Sequence, residues 1–250
     1  MRAKLFFMIN KYYLAAYSFY SRCEPFNGYL NKKYWFIDHV WTDKNEAFIF
    51  TPPRPEVLLF FDPDSKKNEI LNNQGIIRSA YKEYFRTREF KRLLKETNIY
   101  KRQVQHGWIK NHDEVIGYME DLSGLDLPNQ KIDIIITHPK LRNGICLSKN
   151  TICFGHTEDW KNYSTVYLCH EILHIMTNLS SSRIMHAIIE AIADNEIRIR
   201  LNKRGRYFET ESNNHYMLRK ILPYWLKYLN DINRDNIIRL ERKIKGAIGA

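Results

Sequence analysis

What is scarce in this chain bounds it before any motif is read. Its 250 residues hold only 10 glycines and 8 prolines. No Gly/Ser-rich linker, low-complexity tract or internal repeat divides them, so a single unit with one sizeable core is expected. No stretch reaches the roughly 18 uninterrupted apolar residues of a membrane-spanning helix, which excludes that architecture. The basic, partly apolar start MRAKLFFMINKYYLAAYSFYS is interrupted by Asn10 and Lys11 and lacks a clean small-residue cleavage site. It reads as an amphipathic helix from about Lys4 to Ser21 rather than an export signal. The 4 cysteines, Cys23, Cys146, Cys153 and Cys169, show no C-x-x-C spacing, which argues against a thiolate metal site and for reduced, mostly buried thiols in a cytoplasmic protein.

Acidic residues are also in short supply, 28 against 39 Lys and Arg, and the deficit is uneven. Residues 78–110 hold 10 basic and 3 acidic side chains, and residues 201–250 hold 11 and 5, whereas residues 111–200 hold 8 and 12. The basic excess therefore lies outside the middle of the chain. Arg78, Lys82, Arg86, Arg88, Lys91, Arg92 and Lys95 fall on a probable helix that suits phosphate backbones or an acidic partner, although no groove-reading module is visible and a solvated basic face is the commoner cause.

The hydrophobic pattern predicts a mixed α+β chain. Strands are expected between Tyr34 and Phe61, with turn signals at Thr51–Pro55 and Asp62–Asp64, and a long helix from about Gly75 to Lys95 or beyond. A further helix spans about His112 to Leu122. Lys131–Thr137 (KIDIIIT) reads as a buried strand, followed by a Pro-Lys-Leu-Arg-Asn-Gly turn and short strands at 145–147 and 151–154.

What the middle of the chain does contain is the string His170-Glu171-Ile172-Leu173-His174. Residues four apart on a helix share a face, so His170 and His174 can direct two imidazoles at one metal ion with Glu171 beside them. The surrounding helix, Thr165–Leu179 with Ser164 as expected N-cap, has Glu171 as its sole acidic residue and no Lys or Arg. Ionisable groups in so apolar a setting need partners, and a shared divalent ion supplies one. After Ser180-Ser181-Ser182, a second helix from Arg183 to Asn202, stopped near Gly205, carries His186, Glu190 and Asp194 on one face.

HEILH followed by EAIAD resembles the gluzincin zinc metallopeptidases, a group that includes thermolysin-like enzymes and zinc aminopeptidases. The resemblance covers residues 164–205. It implies that His170, His174 and Glu190 bind one Zn2+ ion, that Glu171 is the general base, and that Asp194 orients a ligand histidine. His186 is the rival third ligand. Thr177 and Ser180 stand where a metzincin would have glycine and histidine, and only 15 residues separate His174 from Glu190, which calls for a short connecting loop. The resemblance further implies an oxyanion donor downstream, with His215 or Tyr216 the first choices and Tyr207, Tyr224 and Tyr228 also in that region. It also implies a sheet whose edge strand binds extended substrate, for which residues 150–155 are the candidate. Gly117-Tyr118-Met119-Glu120-Asp121 approaches the amine-gripping GxMEN string of aminopeptidases, but it ends in Asp and falls on a helix, so it is set aside.

The expected architecture is α+β and zincin-like: a small mixed sheet packed on the active-site helix, with a mainly helical C-terminal lobe. A helix-and-sheet lobe (1–163), a zinc-binding helical hairpin (164–205) and a helical lobe (206–250) form one domain. The expected function is hydrolysis of peptide bonds in a peptide or protein substrate. The alternative is a non-catalytic zinc-containing binding protein whose basic surface recruits nucleic acid or an acidic partner.

Overall fold

The computed structural model describes residues 4–20, 81–207 and 216–248. The expected strands between Tyr34 and Phe61, the turns that bracket them, the helix start at Gly75, Arg78, Cys23 and His215 lie outside the described residues. What is described is an α+β structure: one small four-stranded mixed sheet with mostly helical surroundings.

The first element corrects the expected N-terminal helix. Lys4–Met8 forms strand β1, and helix α1 (Lys11–Tyr20) begins only after Asn10. The break has a local cause. Asn10 Oδ1 accepts from the backbone N–H of Tyr12 at 3.0 Å and of Tyr13 at 3.3 Å, which caps α1. Before it, Leu5 and Phe7 turn toward the core while Lys4, Phe6 and Met8 face out, the two-residue period of a strand.

Residues 81–86 are helical, and α2 (Arg88–Ser123) then runs for 36 residues. It unites the two helical segments expected at 75–95 and 112–122. Thr87 Oγ1 caps its start by accepting from the N–H of Phe90 at 3.1 Å. Gly124, at φ +63°, ends it; a Cβ there would sit 2.9 Å from Asn236 Cα, so this position needs glycine for space as well as for backbone sign.

Strands β2 (Lys131–Ile136), β3 (Asn143–Ser148) and β4 (Thr151–Gly155) complete the sheet in the order β1-β2-β4-β3. β1 and β4 both run parallel to β2, and β3 pairs antiparallel with β4. This overturns the expectation that residues 150–155 are a substrate-binding edge. β4 is hydrogen-bonded on both sides, and Ile152, Cys153 and Phe154 are wholly buried; among the described residues the edge strand on that side is β3.

Side-chain alternation on β2 and β4 divides two cores. Ile132, Ile134, Ile136, Ile152 and Phe154 enter the larger core, whereas Ile135 and Cys153 enter a smaller one with α1, Tyr81, Tyr84 and the start of α2. The larger core is completed by the later helices: α3 (Tyr163–Met176), α4 (Arg183–Glu190), which continues through a π-helical stretch (Ala191–Ile197) into α5 (Arg198–Asn202), then α6 (Tyr216–Asn230) and α7 (Ile237–Ile248). Trp225 of α6 is fully buried in it. The thiols of Cys146, Cys153 and Cys169 form no disulfide among the described residues, and no described helix is long and apolar enough to cross a membrane.

Candidate metal centre

α3 buries three of its sides. Ser164, Thr165, Val166, Leu168, Cys169, Ile172, Leu173, Ile175 and Met176 are all buried, and the face left partly open carries Tyr163, Tyr167, His170 and His174. The helix starts at Tyr163, with Asn162 at φ 64° as its N-cap residue, rather than after Ser164. Ser164 is displaced from that role because its side chain is buried and bonded to Glu158. At the other end, consecutive left-handed residues Asn178 (φ 54°) and Leu179 (φ 56°) reverse the chain within a few residues. Ser182 then caps α4, its Oγ accepting from the N–H of Met185 at 3.4 Å. The tight return lays α4 against α3.

The result is a cluster of three imidazoles. His170 Nε2 lies 3.2 Å from His174 Nε2, and His174 Nε2 lies 3.2 Å from His186 Nδ1. Among the described residues, His170, His174 and His186 are the group whose ligand atoms all fall within 4.8 Å of one another. Glu190 stands behind this group: its Oε1 is 3.5 Å from Nε2 of His186. The structure thus draws the rival histidine into the cluster and sets the expected ligand Glu190 on that histidine's far nitrogen.

Proton counting shows why a cation suits this arrangement. His170 Nδ1 is 3.2 Å from Asp194 Oδ2, and an N–H donated there leaves Nε2 as a lone pair. His186 likewise directs Nε2 to Glu190, leaving Nδ1 as a lone pair. Both lone pairs face His174 Nε2, which carries at most one proton and can serve only one of them. A divalent ion serves all three. For a tetrahedral ion with metal–N bonds of about 2.0–2.1 Å, neighbouring ligand nitrogens sit about 3.3–3.4 Å apart, close to the two 3.2 Å separations, and the third pair lies within 4.8 Å. The donor set and its carboxylate partners therefore fit a divalent metal ion.

Electrostatics follow from burial and these partners. Burial alone would lower the pKa of His170, but its hydrogen bond to Asp194 and the negative charges of Asp194, Glu171 and Glu190 outweigh it, so the value is raised. Burial, and the cost of a second charge beside His170 and His186, lower His174 to about 4 against the opposing effect of Glu190. Its imidazole is therefore neutral at neutral pH, the form that can bind a metal. Glu171 is 5% exposed, and burial raises its carboxyl against the opposing effects of His170 and a hydrogen bond from Tyr167.

Tyr167 is the site residue that the sequence reading missed. Its hydroxyl lies 3.1 Å from the carbonyl of Gly144 and also within hydrogen-bonding reach of Glu171, so its single proton is shared between two acceptors, while its ring lies 6.0 Å from that of His170. Glycine at 144 makes this possible, since a Cβ there would meet the Tyr167 ring at 2.4 Å. Tyr167 thereby ties edge strand β3 to the helix that carries the histidines. The available signal was its spacing, three residues before His170 and four before Glu171.

The second helix uses an irregularity. A π turn over Ala191–Ile197 follows Glu190, and the wholly buried Asn195 donates to the Glu190 carbonyl at 3.4 Å. Such wide turns occur often at functional sites. Here one contains Asp194, whose backbone carbonyl accepts from Arg198 Nε at 2.6 Å while its carboxylate meets His170.

The downstream tyrosines take other places. Tyr216 opens α6, is 55% exposed, and has the Lys220 ammonium 4.6 Å over its ring. Tyr207 bonds Glu196 and accepts from Trp225 Nε1 at 3.2 Å; Tyr228 donates to the Leu122 carbonyl. Tyr224 and Tyr228 line a cavity of about 260 Å³ beside α6 and α7 with Lys227, Arg234 and Lys243. Glu120 of the set-aside GYMED string accepts from the N–H of Leu127 at 3.3 Å, near the end of α2.

Comparison of the chain with protein-family models, curated proteins and solved structures found no match. The site is therefore read from its own residues.

Proposed function

We propose that this chain is a zinc-dependent peptidase of zincin-like design, with His170, His174 and His186 as ligands and Glu171 as general base. The observation that carries the reading is the convergence of three imidazole nitrogens, two of them backed by carboxylates, beside a buried glutamate. A zinc ion held there by three protein ligands supplies Lewis-acid polarisation of a carbonyl and activation of water.

The chain's own groups divide the remaining work. Asp194 and Glu190 hold His170 and His186 in the tautomers that turn lone pairs inward. Glu171 takes a proton from the attacking water and passes one to the leaving amine. Tyr167 holds the Glu171 carboxylate, and through Gly144 it fixes β3 beside the site. As the antiparallel edge strand next to α3 among the described residues, β3 suits an extended polypeptide, which would add to the sheet through backbone hydrogen bonds. The three-histidine set departs from the gluzincin pattern, in which Glu190 would be the third ligand; the 3.5 Å approach of Glu190 to His186 keeps that arrangement as the second reading.

A binding protein with a structural metal is the competing class. It has no use for a glutamate buried beside its ligands, and a structural zinc site ordinarily closes all four positions with protein atoms. The deciding experiment compares zinc content and cleavage of a peptide library for wild type and Glu171→Gln. Zinc retained in both with cleavage lost in the variant is the expected result; equal cleavage by both would overturn the mechanism.

A further inference from the structure

α2 presents a straight positive ridge unrelated to the histidine cluster. At 100° per residue, Arg88, Lys91, Arg92, Lys95, Arg102 and Lys110 fall within about 60° of one line along the helix, and all six are exposed. His106, also exposed, lies on the same line. The ridge runs for about 33 Å at 1.5 Å per residue. Its acidic neighbours Glu89 and Glu96 fall to one side of the line.

An ordinary solvated helix offsets its cations with acids one turn away. Glu89 lies one turn from Arg92, and Asp113 and Glu114 one turn beyond Lys110, but the one ion pair that a ridge cation makes among the described residues is Arg92–Glu96 at 3.8 Å. Arg88, Lys91, Lys95, Arg102 and Lys110 form no ion pair among the described residues. Holding like charges in a row on one rigid rod raises their mutual repulsion, and a bound polyanion relieves it. The opposite face, with Phe90, Leu93, Tyr100, Val104 and Trp108, is buried in the protein and fixes the ridge outward.

We propose that this ridge binds the phosphodiester backbone of nucleic acid. A single row of cations matches a linear polyanion: about ten base pairs at 3.4 Å rise cover the same 33 Å. A membrane surface fits less well. The apolar face that an interfacial helix would insert into lipid is already packed in the core, leaving only Ile99 and Ile109, 44% and 65% exposed, along the ridge. No side chain on the ridge is arranged to read base edges, so binding is expected to be independent of sequence.

The test uses the full chain and a fluorescein-labelled 20-base-pair DNA duplex of arbitrary sequence, followed by anisotropy between 50 and 200 mM salt. A 20-nucleotide RNA and phosphatidylserine vesicles serve as parallel probes. Six phosphate contacts give a slope of log K against log salt of about −5 on duplex. Lys95→Glu with Arg102→Glu is expected to weaken binding at least tenfold and flatten the slope by about 2. Arg219→Glu with Arg242→Glu makes the same change in net charge at exposed positions elsewhere and should leave binding nearly intact. Lys91→Gln with Lys95→Gln, a milder pair, should show a smaller loss in the same direction. Equal losses from the ridge and control pairs, a wild-type slope shallower than about −2, or binding to vesicles without binding to either nucleic acid would overturn the proposal. The metal reading stands or falls separately, because none of these measurements depends on zinc.

Discussion

Removing His186 or Glu190 separates the two ligand sets at the second helix. In the three-histidine arrangement His186 contributes one of three metal bonds, while Glu190 acts through it from 3.5 Å behind. Structural zinc sites are worth about 10–16 kcal/mol in apparent binding energy, which sets the scale. Shared over three or four ligands, one bond is worth about 2.5–5 kcal/mol, or at least a change of about 10²-fold in affinity and on the order of 10³-fold in mid-range. A carboxylate supporting a ligand histidine is typically worth about 10–100-fold. His186→Ala should therefore weaken zinc by about 10²–10³-fold and Glu190→Ala by about 10-fold to 100-fold. The His186 side chain is 50% exposed and that of Glu190 21%, so neither truncation opens a large core cavity, and the effects can be read on folded protein. Competition with a chromophoric chelator gives the affinities, and the zinc-dependent rise in melting temperature gives an independent estimate. If Glu190→Ala costs more zinc affinity than His186→Ala, the three-histidine assignment is refuted and Glu190 is the third ligand.

Two further predictions concern the support of the site and the sheet. Gly144→Ala places a methyl group 2.4 Å from the Tyr167 ring, so a loss of about 1–3 kcal/mol is expected in urea unfolding. Combining it with Tyr167→Ala should recover much of that loss, and strict additivity of the two changes would show that they do not meet. His138 tests pH dependence away from the metal ligands. Its ring is buried, Nδ1 accepts from the N–H of Lys140 at 3.2 Å, and Nε2 meets Glu96 at 3.0 Å. Burial lowers its pKa; Glu96 opposes that effect, and Lys140 and Arg92 reinforce it. Between the folded and unfolded values the unfolded chain binds more protons, so His138 contributes its stability fully above about pH 6.5 and loses it as pH falls below that value. In paired unfolding curves at pH 7.5 and pH 5.5, His138→Gln should show a smaller drop than wild type; equal drops would reject the assignment.

Much of the site's inventory was legible in the sequence because it depends on local helical geometry. A spacing of four places His170 and His174 together on any helix, and the same rule aligns His186, Glu190 and Asp194. Those regularities cannot state how two helices meet. The third histidine's place in the cluster, and the division of Asp194 to His170 and Glu190 to His186, follow from the left-handed turn at Asn178 and Leu179 and the π turn after Glu190. Neither irregularity leaves a periodic signature.

The sequence by itself determined the α+β character, the apolar helix that presents His170 and His174, and the concentration of positive charge on α2. These properties come from residue type and from separations of three or four positions, which act within one element. Tertiary structure decided what depends on distant pairing. It made Lys4–Met8 a strand, because β2 lies beside it to complete its hydrogen bonds, and it made β4 an interior strand by folding β3 along its other side. It also brought Tyr167 to Gly144 across 23 residues, a contact made possible by one missing side chain.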